Sequence, residues 1–203
     1  MTNEHSAVSA KITVVVLTHN RCEEVCRTLM HLQALPEDPP IIVVDNGSTD
    51  HTAQQIKARF PQATLVQTAQ NLGAAGRNLG VKLVKTPYVA FCDDDTWWAS
   101  GALSTAASLL DTHPDVSVLN ARIVVGPRQE LDSTCMAMQN SPLESVVGVG
   151  PMLIGFMAGA NVMRTRAYKE AGGYWKAFFI GGKKHCLLWI SSKLEDALPT
   201  HQH

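Results

Sequence analysis

Several familiar signatures are missing from this sequence. No G-x-G-x-x-G turn follows its first apolar run, and no G-x-x-x-x-G-K-[S/T] occurs anywhere, which disfavours dinucleotide dehydrogenases and P-loop nucleotide hydrolases. Neither sign of charge is in surplus. Seventeen Lys+Arg against eighteen Asp+Glu leave a net charge of -1, which argues against a nucleic-acid partner or a polybasic membrane anchor. The five cysteines (Cys22, Cys26, Cys92, Cys135, Cys186) form no C-x-x-C pair, so reduced thiols in a cytoplasm are the expectation. Residues 1–10 lack a basic start followed by an apolar run, and no signal peptide is expected there. The uncharged stretch 145–163 is long enough to raise a membrane span. It is broken by Gly148, Gly150, Pro151, Gly155 and Gly159 and carries Asn161, so it reads as a buried strand with a loop.

What is present suits one α/β domain. The 203 residues are 45% hydrophobic and 17% charged, enough apolar material for a core and too little charge for a disordered chain. Ile12-Thr-Val-Val-Val-Leu17 is a continuous apolar run, the mark of a strand covered on both faces. Asn20 stands where a helix cap belongs, before Cys22, Val25, Cys26 and Leu29 at helical spacing. The two cysteines on that face read as core rather than metal ligands. Further strands are predicted at 41–44, 64–67 and 88–92, with helices from about 51 to 60, 74 to 85 and 101 to 111. This alternation predicts a mostly parallel sheet with helices on both faces. Beyond it the pattern loosens: 116–125 and 152–163 read as strands, and the segment between them has no clear period.

Each early strand is followed by a polar cluster. Thr18-His-Asn-Arg21 follows the first, Asp45-Asn-Gly-Ser-Thr-Asp50 the second, the glycine-rich Asn71–Gly80 the third and Asp93-Asp-Asp95 the fourth. Ligands of open parallel sheets bind at the carboxyl ends of the strands, so four such ends point to one shared pocket. On an extended strand Asp93 and Asp95 share a side while Asp94 points away. Two nearby carboxylates repel unless a cation or proton intervenes, and an all-oxygen pair suits Mg²⁺ or Mn²⁺ bridging to substrate phosphates. The opposing reading, an acidic strand end capping the next helix, is weakened by the apolar bulk of Phe91 and Trp97-Trp98 beside the triplet.

Val-Val-Leu-Thr-His-Asn-Arg, Val-Val-Asp-Asn-Gly-Ser-Thr-Asp, Asn-Leu-Gly-Ala-Ala-Gly-Arg-Asn-Leu-Gly, Val-Ala-Phe-Cys-Asp-Asp-Asp and Gly-Gly-Tyr occur in this order. Over residues 11–182 the chain resembles the family 2 glycosyltransferases, nucleotide-sugar enzymes with the GT-A fold. The resemblance implies a nucleotide-sugar pocket lined by Thr18, Asn20 and Arg21, with Asp45 holding the base. It places Gly73, Arg77 and Asn78 around the nucleotide, Asp93 and Asp94 beside it, and Asp95 as the ligand of a divalent metal (Mg²⁺ or Mn²⁺). It divides the domain (1–182) into a nucleotide-binding half, about 11–112, and an acceptor-side part, about 113–182. The implied partners are a nucleoside-diphosphate sugar and a glycan, lipid or protein acceptor, with no nucleic acid. Transfer would be inverting and metal dependent.

The resemblance fails at residues 183–203, where relatives continue into a run of glutamates and a Leu-Ala-Leu-Asp helix that carries the base. Here the chain reads Lys183-Lys-His-Cys-Leu-Leu-Trp-Ile-Ser-Ser192, and suitable codons shifted by one base would restore a family-like continuation. The expectation is a truncated or frameshifted tail with the catalytic base missing. Exposed Phe178, Phe179 and Trp189 would then favour self-association, and peripheral membrane association is a further expectation. A nucleotide-sugar-binding protein that has lost catalysis is the alternative, and a nucleotidyltransferase of similar layout is a third.

Overall fold

The apolar run that opens the domain is buried on both sides because it lies inside a three-layer sandwich. In strand β1 (Ile12–Thr18), Val14 and Val16 pack into one hydrophobic cluster and Val15 into the other. The computed structural model describes residues 11–175 together with two short strands at 189–191 and 199–200.

From β1 the chain passes through helix α1 (Cys22–Gln33) to β2 (Ile41–Asp45), then α2 (Thr52–Arg59) and β3 (Thr64–Gln67). A 3₁₀ turn (Gly73–Gly76) leads into α3 (Arg77–Leu83), β4 (Tyr88–Asp93) and α4 (Ala102–Thr112). The rest of the described chain is made of shorter pieces: β5 (Val118–Asn120), β6 (Val124–Val125), β7 (Glu130–Leu131), α5 (Ser133–Gln139), β8 (Ser145–Val146), β9 (Gly150–Leu153), β10 (Ala160–Arg164) and α6 (Thr165–Glu170). Strands β11 (Trp189–Ser191) and β12 (Pro199–Thr200) complete the described residues.

Nine strands form the main sheet in the order β3-β2-β1-β4-β10-β5-β11-β9-β8. β1 to β4 are mutually parallel, and β10 runs antiparallel to both β4 and β5. Helices α1, α2 and α4 cover one face through Leu29, Leu32, Ile56, Leu103 and Leu110, whereas α3 and α6 cover the other through Val81 and Tyr168. Each such aliphatic side chain contributes roughly 1.5–3 kcal/mol by leaving water. Gly80 lets α3 approach the sheet closely, because a Cβ there would come within 2.7 Å of the Val15 side chain.

The chain runs outward from β1 through β2 to β3 and then returns to build β4 on the other side of β1. That reversal is a topological switch point, and it opens a crevice at the carboxyl ends of β1 and β4.

Three local expectations are corrected. Residues 116–125 hold not one strand but two, because β5 lies in the nine-stranded sheet and β6 in a separate three-stranded sheet with β7 and β12. Residue 152–163 likewise splits into β9 and β10, which lie at different places in the sheet. Asn20 does not cap α1: Arg21 is the N-cap, and the Asn20 carboxamide oxygen accepts instead from the Thr49 amide at 2.7 Å. The segment 145–163 forms β8, β9, a loop and β10, and no helix among the described residues is long and apolar enough to cross a membrane.

Candidate functional site

The four parallel strands end level with one another, since Thr18 pairs with Asp45, Asp45 with Gln67, and Leu17 with Asp93. Their polar termini are joined by hydrogen bonds. The Ser48 amide donates to the buried Asp45 carboxylate at 3.0 Å, and the Asn20 amide donates to the Ser48 hydroxyl at 2.9 Å. Asn20 sits at φ 53, a left-handed conformation that asparagine tolerates better than most residues, and this turns the chain sharply into α1. His19 lies beside it, Nε2 facing the Asn20 carboxamide at 3.3 Å.

Asn46 ties the second loop to the third. Its carboxamide donates to Asn71 Oδ1 (2.9 Å) and the Gly73 carbonyl (3.0 Å) and accepts from the Leu72 amide (2.9 Å). The motif contained this residue, but residue type alone assigned it no role; its signal was a side chain that both donates and accepts beside a glycine-rich loop.

The aspartates are arranged differently from the strand-based expectation. β4 ends at Asp93, and residues 94–95 form a turn closed by Thr96, whose hydroxyl accepts from the Asp93 amide at 3.1 Å. Strict alternation therefore stops before Asp95. Arg21 instead gathers Asp94 and Asp95, its Nη1 lying 3.2 Å from Asp94 Oδ1 and 3.1 Å from Asp95 Oδ2. Asp93 pairs with Arg77 at the start of α3. Gly159 makes this possible, because a Cβ there would fall on the Asp93 carboxylate. Arg77 is buried and stacks 5.7 Å from the Tyr174 ring centroid.

Asp94 is buried, and its backbone carbonyl accepts from the Thr28 hydroxyl of α1 at 2.8 Å. Burial above all pushes its carboxyl up to about 6, helped by Asp95 and Asp93 and opposed by Arg21 and the Thr18 hydroxyl. The same carboxylates hold the Arg21 guanidinium above its ordinary value despite partial burial.

Thr18, Asn20, Arg21, Asp45, Arg77, Asp93, Asp94 and Asp95 thus meet at one rim. Gly73 opens the 3₁₀ turn at φ 57 and offers its carbonyl to Asn46. Asn78 is engaged elsewhere: its amide nitrogen donates to the Tyr174 carbonyl (2.7 Å), and its oxygen accepts from the Tyr168 hydroxyl (2.6 Å) and the Tyr174 amide (2.9 Å). It fastens the Gly172-Gly173-Tyr174 turn to α3.

Two more asparagines went unassigned by sequence reasoning. Asn120 accepts from the Met157 amide at 2.8 Å, and buried Asn161 donates to the Met157 carbonyl at 2.6 Å, so together they pin the segment that carries Gly159. A cavity of about 790 Å³ opens between α4, β5, α5 and residues 145–151. The tail positions singled out in the sequence (Phe178, Phe179, Lys183, Lys184, Cys186, Glu195, Asp196, His201, His203) lie outside the described residues.

The rim offers exposed carboxylate oxygens of the kind a divalent cation takes. Three carboxylates face two guanidiniums, which leaves a surplus negative charge when all are ionised, and Asp93 and Asp95 keep 44% and 35% of their side-chain surface exposed. Among the described residues no group of three His, Cys, Asp or Glu is assembled for a metal. The donor set therefore fits a hard ion held by one or two carboxylates and completed by substrate phosphates and water.

The strand order reverses at β1, with acidic and basic groups at the crevice, as in doubly wound α/β folds that bind ligands there, and solved structures superimpose on this sheet and its helices. TarS of S. aureus, crystallised as residues 1–349 in complex with UDP-GlcNAc, matches with a TM-score of 0.70 at 20% identity, over 95% of this chain and 59% of that one. The mannosyltransferase PcManGT of Pyrobaculum calidifontis, in complex with GDP-Man and Mn²⁺, matches with a TM-score of 0.62 at 20% identity, over 82% of this chain and 48% of that one. In sequence, the uncharacterized glycosyltransferase YwdF of Bacillus subtilis is 26% identical over 117 residues, which are 54% of this chain and 43% of the relative, so the match spans less than half of that protein. The family model for glycosyl transferase family 2 matches residues 13–171. The chain belongs to that family.

Proposed function

We propose that the chain takes a nucleoside-diphosphate sugar and transfers the sugar to an acceptor hydroxyl with inversion, with a divalent cation as cofactor. The observation that carries this reading is the pair of arginine–aspartate contacts at the switch point, Arg21 with Asp94 and Asp95, and Arg77 with Asp93. Buried Asp45, with Thr18, Asn20 and the backbone around Gly73, forms the floor on which a base and ribose would rest. Asp95, with Asp93 beside it, would hold the cation, which when bound supplies charge neutralisation for the departing diphosphate. Residues 11–112 serve the donor and the part from 113 onward frames the acceptor. In the family the base that deprotonates the acceptor follows the Gly-Gly-Tyr turn, where this sequence departs from the family, and no residue of this chain is assigned that role. The partner classes are those the family resemblance implies: a sugar nucleotide on one side, a glycan, lipid or protein hydroxyl on the other.

The test is release of nucleoside diphosphate from a panel of UDP- and GDP-sugars with Mn²⁺. Expected is release that EDTA abolishes and that Asp95→Ala lowers by at least about 100-fold, the range for deleting one preorganised electrostatic contact. Binding of UDP or GDP without any release would favour the catalytically impaired binding protein. Release of pyrophosphate from a nucleoside triphosphate would favour a nucleotidyltransferase.

A further inference from the structure

The two arginines of the rim hold aspartates in the same way but differ in freedom. The Arg77 side chain is 6% exposed, packs over Tyr174 and starts α3, so it is a fixed counter-ion for Asp93. The Arg21 side chain is 42% exposed, and it reaches both carboxylates through a single terminal nitrogen, Nη1. Only its root is anchored: the Asn20 amide and carboxamide are bonded to Ser48 and Thr49, and the Arg21 carbonyl accepts from the Val25 amide at 3.0 Å. A fixed backbone with a long, half-exposed side chain can pivot while its origin stays in place.

Asp95 Oδ2, the oxygen that Arg21 engages, belongs to the carboxylate that the proposed function gives to the divalent cation. The guanidinium and the ion carry the same sign and cannot share that oxygen closely without repulsion, which at separations of about 4 Å in a partly exposed site amounts to several kcal/mol. We propose that Arg21 is an exchangeable internal counter-ion: it neutralises Asp94 and Asp95 until a divalent cation takes Asp95, and the released guanidinium then turns to the diphosphate that arrives with the cation. This rests on the nucleotide-sugar reading and adds to it a coupling. The same residue opposes binding of the bare cation and favours binding of the cation together with the nucleotide. Arg21 is a positioning and binding residue in this scheme, and Asp94, which cannot leave its buried place, keeps the guanidinium near the rim.

The coupling separates two measurements that need no turnover. Bare Mn²⁺ binding is read by the loss of free-ion signal in electron paramagnetic resonance, and UDP and GDP binding by calorimetry at saturating Mn²⁺. In Arg21→Gln, Mn²⁺ should bind about 5- to 10-fold more tightly than in the wild-type chain, while the better of the two nucleotides binds about 10-fold more weakly. Arg21→Lys, which keeps the charge, should lie close to wild type on Mn²⁺ and between the two on nucleotide. Circular dichroism and thermal melting of each variant establish that it is folded. Mn²⁺ affinity that is unchanged or weaker in folded Arg21→Gln overturns the proposal, as does failure of both wild type and Arg21→Gln to bind Mn²⁺. Neither outcome touches the donor reading if UDP or GDP still binds. Absence of all nucleotide binding by the wild-type chain, by contrast, is the failure of that reading itself.

Discussion

Residues 11–112 and 113–175 both contribute strands to the nine-stranded sheet but are built on different terms. Between residues 11 and 112, strands of four to seven residues alternate with helices of seven to twelve, and each strand delivers a polar cluster to the same edge. Between 113 and 175 the strands have two to five residues and the helices six or seven. Elements that short bury too little side-chain area to hold themselves, so this part depends on polar fastenings: Asn120 and Asn161 on Met157, and Asn78 on Tyr174. Residues 11–112 are preorganised by their strands and residues 113–175 by asparagines.

Asn78→Ala would break the comparison most directly, because this carboxamide joins the two parts. The substitution leaves the buried Tyr168 hydroxyl and the Tyr174 amide and carbonyl without their partner. The expected loss is about 3 kcal/mol, from unsatisfied groups at 1–3 kcal/mol each with partial relaxation. For a chain of this size that lowers Tm by roughly 6–12 °C, to be measured by calorimetry. A melting temperature within 2 °C of wild type would mean that the Gly-Gly-Tyr turn is held by something other than Asn78.

The same contrast explains how much could be read in advance. The first four strands and their order of polar clusters were legible because period and β-branched content agree over whole elements, as in Thr64–Gln67 and Tyr88–Cys92. Asp45, Arg77 and Asp95 meet at one rim as a parallel sheet requires. The acidic turn was not legible: whether residue 94 continues the strand depends on Thr96 closing a turn, a side-chain bond with no periodic signature. The Asn20 expectation failed for a related reason. A cap residue and a loop-bridging residue are the same amino acid, and only the position of Thr49 in space decides between them. Past residue 113, strands of two or three residues are too short for any period to show.

Asp94→Asn sharpens the donor side of the comparison through pH. In the unfolded chain this carboxyl titrates near 3.9, and in the folded chain burial pushes it up to about 6. Between these values the folded state binds the additional proton, so the stability this group contributes is complete below about pH 4 and is lost as the pH rises through 6. Relative to Asp94→Asn, the wild-type chain should lose about 2 kcal/mol of unfolding free energy between pH 4.5 and 7.5. Urea titrations in EDTA at the two pH values measure the gap. A gap that stays constant would show that Arg21 and Thr18 already offset the burial of the carboxylate.

The smallest effect is expected at Arg128, and it tests what does not hold the acceptor side together. Its Nη2 lies 2.9 Å from Glu130 Oε1 at the start of β7, with side chains 83% and 64% exposed. An ion pair so open to water gains little Coulomb energy, is screened by salt and restricts two flexible side chains, so Arg128→Ala should change stability by less than about 0.5 kcal/mol. The comparison requires this null result: if buried asparagines and apolar contacts fix these short elements, an exposed pair between the turn at Arg128 and β7 contributes nothing measurable. A loss above about 1 kcal/mol in urea, removed by 0.5 M salt, would transfer part of the stabilisation of β6 and β7 from packing to surface charge. The two stretches of the chain would then differ in electrostatics as well as in element length.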